Sequence, residues 1–222
     1  MLNRPDAMIF DLDGTLFKTE TLLLPAYHAA FDEMRREGTY RGETPDEERI
    51  LSSLGLLLEQ IWRNVLPDEP EEVRRRADEW LLHYQLSLLA EGAGELYPEV
   101  KETLERLHRD GVRLFVASNG LEPYVKGVIR AKGLAPLFDG LYSAGEFATR
   151  SKNDLVARLL QDHGLEHRAV WMVGDRSSDV EAGKANGLPT IGCHYAGFGK
   201  PDELAQADRI IQRFGELYEL MG

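Results

Sequence analysis

The chain has 222 residues and a formal net charge of −12, with 26 Lys and Arg against 38 Asp and Glu. That length suits one large domain or a core with an insert. The acidic balance, with no basic run beyond Arg74-Arg75-Arg76 in an acidic helical stretch, argues against a nucleic-acid partner. The lone cysteine, Cys193, leaves no internal disulfide or thiol zinc site. With no stretch apolar enough for a signal peptide or membrane span, a soluble protein of a reducing, cytoplasmic compartment is expected, without a membrane partner.

Residues 7–10 are a short apolar run that suits a strand buried on both faces. The run ends abruptly in Asp11, Asp13, Gly14 and Thr15. Carboxylates have a place at the carboxyl end of such a strand, where open α/β sheets bind ligands. Two of them side by side repel unless a cation or proton lies between. A plain strand-end turn draws on the same residue types.

Residues 22–37 read as an amphipathic helix closed by Gly38. Residues 47–65 read as a second, with Gly55 as a kink or junction. Residues 71–89 make a third, with Val73, Ala77, Trp80, Leu81 and Tyr84 at helical spacing. His28 reads as a helix-surface residue, and Trp62 and Trp80 as core residues of this helical part. Glu91-Gly92-Ala93-Gly94 is a flexible connection, and its two glycines can act as a hinge. Residues 17–94 therefore form an all-helical insert.

Pro98 opens the next helix in the position that favours proline, and that helix runs to Asp110. Strands are expected at 112–117, 141–143, 169–173 and 189–193, with a short sixth at 210–211. Helices at 122–132, 153–163 and 178–186 separate them, and a last helix starts near Phe214. Gly197-Phe198-Gly199 reads as a surface turn. Strands alternating with helices argue for an α/β fold, a parallel sheet covered on both faces.

Polar residues recur where these strands end: Asp11 and Asp13, Ser118 and Asn119, then Asp175 with Asp179 four residues on. Lys152 precedes the helix between the third and fourth strands. All carboxyl ends of a parallel sheet share one edge, so these groups can converge although distant in sequence. Each alone has a plain reading as a cap, a turn or a surface charge.

Taken in order, Asp11-x-Asp13-x-Thr15, Ser118-Asn119-Gly120, Lys152 and Gly174-Asp175-x-x-x-Asp179 resemble the four motifs of the haloacid dehalogenase superfamily. The resemblance implies a three-layer Rossmann-like core of residues 1–16 and 95–222, with residues 17–94 as a helical cap of the type placed after the first motif. It implies Asp11 as a nucleophile that becomes an aspartyl phosphate, and Asp13 as acid and base. Thr15, Ser118, Asn119 and Lys152 would hold the phosphoryl group. Mg²⁺ would be held by Asp11, Asp13 (through its carbonyl), Asp175 and Asp179, directly or through water.

Members that expel halide or cleave phosphonates lack Asp13, so its presence points to phosphate esters. The cap sequence is most similar to phosphoglycolate phosphatases and related pyrophosphatases. Two positions depart from that pattern: Lys18-Thr19 stands where Asp-Ser is frequent, and Asn153 follows Lys152 where proline is common. The expected partner is a small phosphorylated metabolite, and a monomer is favoured over an oligomer without any pattern that fixes the oligomeric state. Alternatives are a pyrophosphatase, a sugar-phosphate mutase and a regulatory binding protein on the same fold.

Overall fold

A computed structural model describes residues 2–165, 169–197 and 202–221. The chain opens with β1 (Ala7–Phe10) and the two-residue β2 (Phe17–Lys18). The insert then supplies α1 (Glu20–Glu37), α2 (Glu47–Leu51), α3 (Leu58–Val65) and α4 (Glu71–Ala90). A second two-residue strand, β3 (Glu95–Leu96), leads into α5 (Val100–Arg109), β4 (Arg113–Ser118) and α6 (Glu122–Ala131). There follow β5 (Gly140–Ser143), the short α7 (Ala144–Phe147), α8 (Lys152–His163), β6 (Val170–Gly174) and α9 (Ser177–Ala185). The chain ends with β7 (Thr190–Cys193), β8 (Arg209–Ile211) and α10 (Glu216–Glu219).

Six strands form one parallel sheet in the order β5-β4-β1-β6-β7-β8. The pattern of β1 shows why it lies at the centre. All four of its residues are apolar and fully buried, and their side chains alternate between faces. Met8 and Phe10 join Val100, Leu104, Val128 and Leu217 on one side. Ala7 and Ile9 join Leu155, Val156, Leu159 and Ala182 on the other. Helices α5, α6 and α10 thus cover one face and α8 and α9 the other, giving the expected three layers. Burying a side chain such as Ile9 or Phe10 stabilises the fold by ~1.5–3 kcal/mol.

The insert has its own apolar cluster, which includes Tyr27, Phe31, Trp62, Ala77 and Leu81. Trp80 lies partly buried at its margin. Entry to and exit from the insert are hydrogen-bonded side by side, because β2 pairs antiparallel with β3 (Phe17 opposite Leu96, Lys18 opposite Glu95). Lys132, just past α6, donates from Nζ to the carbonyls of Gly92 (3.3 Å), Ala93 (2.6 Å) and Gly94 (2.6 Å). The expected flexible connection is therefore held at three successive carbonyls by one ammonium.

Three local expectations change. The helix expected over 47–65 is two helices. Between them the chain turns at Gly55 (φ +87°) and is extended at Leu57, so the intervening loop reaches down to the sheet edge. Pro98 does not open α5, because Glu99 follows it with φ 65°. That conformation is held by Gly215 N and Arg213 Nη1, each 3.2 Å from the Glu99 carboxylate. The short strands β2 and β3 carry too few residues for any periodicity to announce them. Of the turn expected at Gly197-Phe198-Gly199, Phe198 and Gly199 lie outside the described residues.

Candidate active site

Sheet order decides where chemistry can occur. Counting only the sheet strands in chain order, the order is 3-2-1-4-5-6, and it reverses between β1 and β6. Ligands of such sheets bind beyond the strand ends at that reversal. Asp11 follows β1 directly, and its N–H donates to the Val173 carbonyl of β6 (2.9 Å). Asp175 follows β6, so the two carboxylates face each other across the crevice.

Asp11, Asp175 and Asp179 each offer a carboxylate oxygen within 4.8 Å of the others, and all three are buried. Lys152 lies against them, with Nζ 2.9 Å from Asp11 Oδ2 and 2.6 Å from Asp179 Oδ1. It reaches this point because Ser151 caps α8, accepting from Asp154 N (3.2 Å), and so sets Lys152 at the first helical position. Asp179 holds the third position of α9, where Oδ2 accepts from Arg176 N (3.0 Å). Both of its oxygens are therefore engaged by protein donors.

Two glycines make the crowding possible. Gly14 has φ +79°, and a Cβ there would lie 2.3 Å from Asp175 Oδ2. A Cβ on Gly174 would lie 2.2 Å from Asp179 Cγ.

Charge sets the electrostatics. Burial, with Asp179 beside it, pushes Asp11 up to about 7, against the opposing pull of Lys152. Burial and then Asp11 raise Asp175 well above the ordinary carboxylate value. For Lys152 burial acts downward, but the carboxylates of Asp11 and Asp179 outweigh it and hold the ammonium charged. Three buried carboxylates around one ammonium leave excess negative charge, which a divalent cation would neutralise. Asp175 Oδ2 is buried without a hydrogen-bond partner. An all-oxygen set with an orphaned carboxylate oxygen fits a hard cation such as Mg²⁺.

The remaining expected residues divide. Ser118 lines the cavity above Asp11, and its Oγ accepts from Gly120 N (3.1 Å), leaving the hydroxyl proton for another acceptor. Asn119 also lines it, but its Nδ2 donates to the Gly55 carbonyl of the insert (2.8 Å). Thr15 is fully buried, and its Oγ1 donates to Asp175 Oδ1 (2.9 Å). It thus steadies the Asp175 carboxylate, directly after the left-handed turn at Gly14. The Asp13 side chain stands apart from the three-carboxylate cluster, so only its main-chain carbonyl is left for the metal role expected of it. Asp13 Oδ1 accepts from Thr19 Oγ1 (2.7 Å) and Tyr124 OH (2.5 Å). Burial raises its pKa, and these two donors work in the opposite direction.

Tyr124 was not singled out by any sequence pattern, since an aromatic on an amphipathic helix reads as core. Thr19 stood out only as a departure at the family's Asp-Ser position. His28 is exposed and bound to Glu47 (2.6 Å), as a surface residue would be. Cys193 is buried, and burial raises its thiol pKa.

Between this edge and the insert lies a cavity of about 80 Å³. A water-sized group needs roughly 10–15 Å³ on such a measure, so only a small molecule fits. Core residues Asp11, Asp13, Ser118 and Lys152 form its floor, and residues of α1 to α4 and the Gly55 loop form its roof. Among the described residues no helix is long and apolar enough to cross a membrane.

Residues 8–193 match the family model of haloacid dehalogenase-like hydrolases. A phosphoglycolate phosphatase of Aliivibrio fischeri is 30% identical over 96% of this chain and 94% of its own length. The crystal structure of CbbY from Rhodobacter sphaeroides in complex with phosphate superposes with a TM-score of 0.81 at 26% identity, covering 96% of each chain. A Haemophilus somnus protein described as a predicted phosphoglycolate phosphatase shares the fold, with a TM-score of 0.85 over the full length of both chains at 21% identity. By sequence, sheet order and the residues gathered at the sheet edge, this chain belongs to the haloacid dehalogenase-like hydrolases.

Proposed function

We propose that the chain is a Mg²⁺-dependent phosphatase that hydrolyses a small phosphomonoester, of the size of phosphoglycolate, through an aspartyl phosphate on Asp11. The observation that carries this reading is the convergence of three buried carboxylates on one buried ammonium at the sheet reversal, under a small cavity. Asp11, Asp175 and the Asp13 carbonyl would hold the ion, with Asp179 one water removed because both its oxygens are occupied. When bound, the ion supplies positive charge that offsets repulsion between the Asp11 carboxylate and the phosphate.

The chain's own residues account for the rest. Lys152 orients Asp11 and neutralises part of the incoming charge. A carboxylate oxygen of Asp11 attacks phosphorus, and the bond from phosphorus to the ester oxygen breaks. Asp13, favoured in its protonated form by burial, gives its proton to that leaving oxygen. Water then attacks the aspartyl phosphate, Asp13 takes the water's proton, and orthophosphate leaves with Asp11 restored. Ser118 presents its hydroxyl to a phosphoryl oxygen. The insert, residues 17–94, acts as a cap domain over the core formed by residues 1–16 and 95–222. It excludes bulk water while the aspartyl phosphate forms, moving on the paired links β2 and β3.

Phosphate release from p-nitrophenyl phosphate tests this reading. Chelation should stop it and Mg²⁺ restore it. Asp11→Asn, nearly isosteric, should remain folded and lose activity by about a thousandfold or more, since an amide oxygen cannot form the acyl phosphate. Substantial release by the purified variant would sink the assignment.

A further inference from the structure

The floor of the cavity explains phosphate chemistry, but its roof bears on what the phosphate is attached to. That roof is apolar, with Leu23, Ile50, Leu54, Ile61, Leu81 and Leu82 facing the cavity. Besides Thr19, whose hydroxyl is committed to Asp13, two polar side chains interrupt it, Asp78 and Gln85, both from α4. They are seven residues apart, two helical turns, and so share the face that carries Leu81 and Leu82. Asp78 Oδ1 accepts from Trp62 Nε1 (3.0 Å), which fixes the carboxylate in the wall. Gln85 is only 8% exposed, and its amide makes no hydrogen bond to any described residue. Neither atom of that amide is sealed from solvent, so at its place in the cavity lining both donor and acceptor are open to a group held there.

Cations are distributed just as unevenly. Among the described residues lining the cavity the only cation is Lys152, and it is committed to Asp11 and Asp179 on the floor. Arg176 lies at the seam against Gly55, pairs with Glu203 (3.3 Å) and does not line the cavity. The only charge on the roof is therefore the Asp78 carboxylate.

Resting on the phosphatase reading above, we propose that the leaving group is a neutral, largely apolar alcohol carrying one amide or hydroxyl group that Gln85 hydrogen-bonds. Leaving groups with a carboxylate or a second phosphate are selected against. An anion under this roof gives up its water for leucine and isoleucine side chains, meets no cation, and lies near Asp78. A neutral group loses little water, gains from apolar burial and finds in Gln85 both a donor and an acceptor.

Three isosteric esters separate these effects in the wild-type enzyme with Mg²⁺: phosphoglycolamide, phosphoglycolate and isobutyl phosphate. The amide should exceed phosphoglycolate in kcat/KM by about tenfold or more, which corresponds to about 1.4 kcal/mol. It should also exceed isobutyl phosphate, and Gln85→Leu should reverse that second preference. Asp78→Asn should shrink the gap between amide and carboxylate. The wild-type comparison alone decides the matter should a variant fail to fold. Phosphoglycolate turned over as well as its amide overturns the inference. Failure on all three esters while p-nitrophenyl phosphate is hydrolysed overturns it and leaves the phosphatase reading standing. Failure on p-nitrophenyl phosphate as well overturns both.

Discussion

Replacing Lys152 with methionine keeps most of the aliphatic stem and deletes one buried charge. In the wild type that ammonium lies 2.9 Å from Asp11 and 2.6 Å from Asp179, and all three side chains are at most 3% exposed. Removing one partner of a buried ion pair costs ~3–5 kcal/mol, because the other charge stays behind unpaired. For a chain of this size each kcal/mol moves the melting temperature by ~2–4 °C. In chelator at about pH 8, Lys152→Met should therefore melt about 6–20 °C below the wild type. The gap should narrow toward about pH 6.

The sign follows from Asp11, whose folded-state pKa of about 7 lies above its unfolded value. Stability from that group is fully present below the unfolded pKa and is lost as pH rises through about 7. Without the opposing pull of Lys152 the folded-state value climbs further. A proton on Asp11 then takes the place of the missing ammonium at low pH but not at high pH. Mg²⁺, by binding the carboxylates of the folded state, should recover part of the loss. Thermal unfolding followed by circular dichroism, with chelator or Mg²⁺ at both pH values, reads all of this. Melting within ~2 °C of the wild type at high pH in chelator would refute the view that Lys152 neutralises the cluster.

Tyr124→Phe removes one of two hydroxyls that bind Asp13 Oδ1. A hydrogen bond to a charged group contributes ~1.5–3 kcal/mol, so kcat should fall by about 10- to 100-fold with KM little changed. A fall confined to KM would mean that Tyr124 serves substrate binding instead of positioning Asp13. Lys132→Met strips the donor from the carbonyls of Gly92, Ala93 and Gly94. Amide hydrogen exchange in residues 91–96 should quicken by about tenfold or more, while exchange in β1 and β6 stays as slow as in the wild type. Unaltered exchange at the links would show that the ammonium does not hold the hinge.

The catalytic edge was legible in sequence because the information is local and the topology simple. Each buried strand announces itself by a short apolar run, and each carries its polar residue directly after that run, as at Asp11, Ser118 and Asp175. Parallel strands joined through helices must bring those ends to one edge, so six short patterns suffice to predict convergence.

What tertiary structure decided lies in orientation and in contacts between distant segments. Thr15 follows Asp13 by two residues, yet past the left-handed turn at Gly14 its hydroxyl meets Asp175, which directly follows another strand. Phe17 and Leu96 pair across the whole insert, and strands of two residues have no periodicity to detect. Tyr124, Asp78 and Gln85 sit on ordinary amphipathic helices and Lys132 just past one, where an aromatic, an acid, an amide and a cation are all commonplace. Their roles arise only because α6 and α4 are docked against the sheet edge and its cavity. Local residue pattern thus determined the chemistry at the strand ends. The surroundings of each charged group were set by long-range packing, and with them the character of the roof over the cavity.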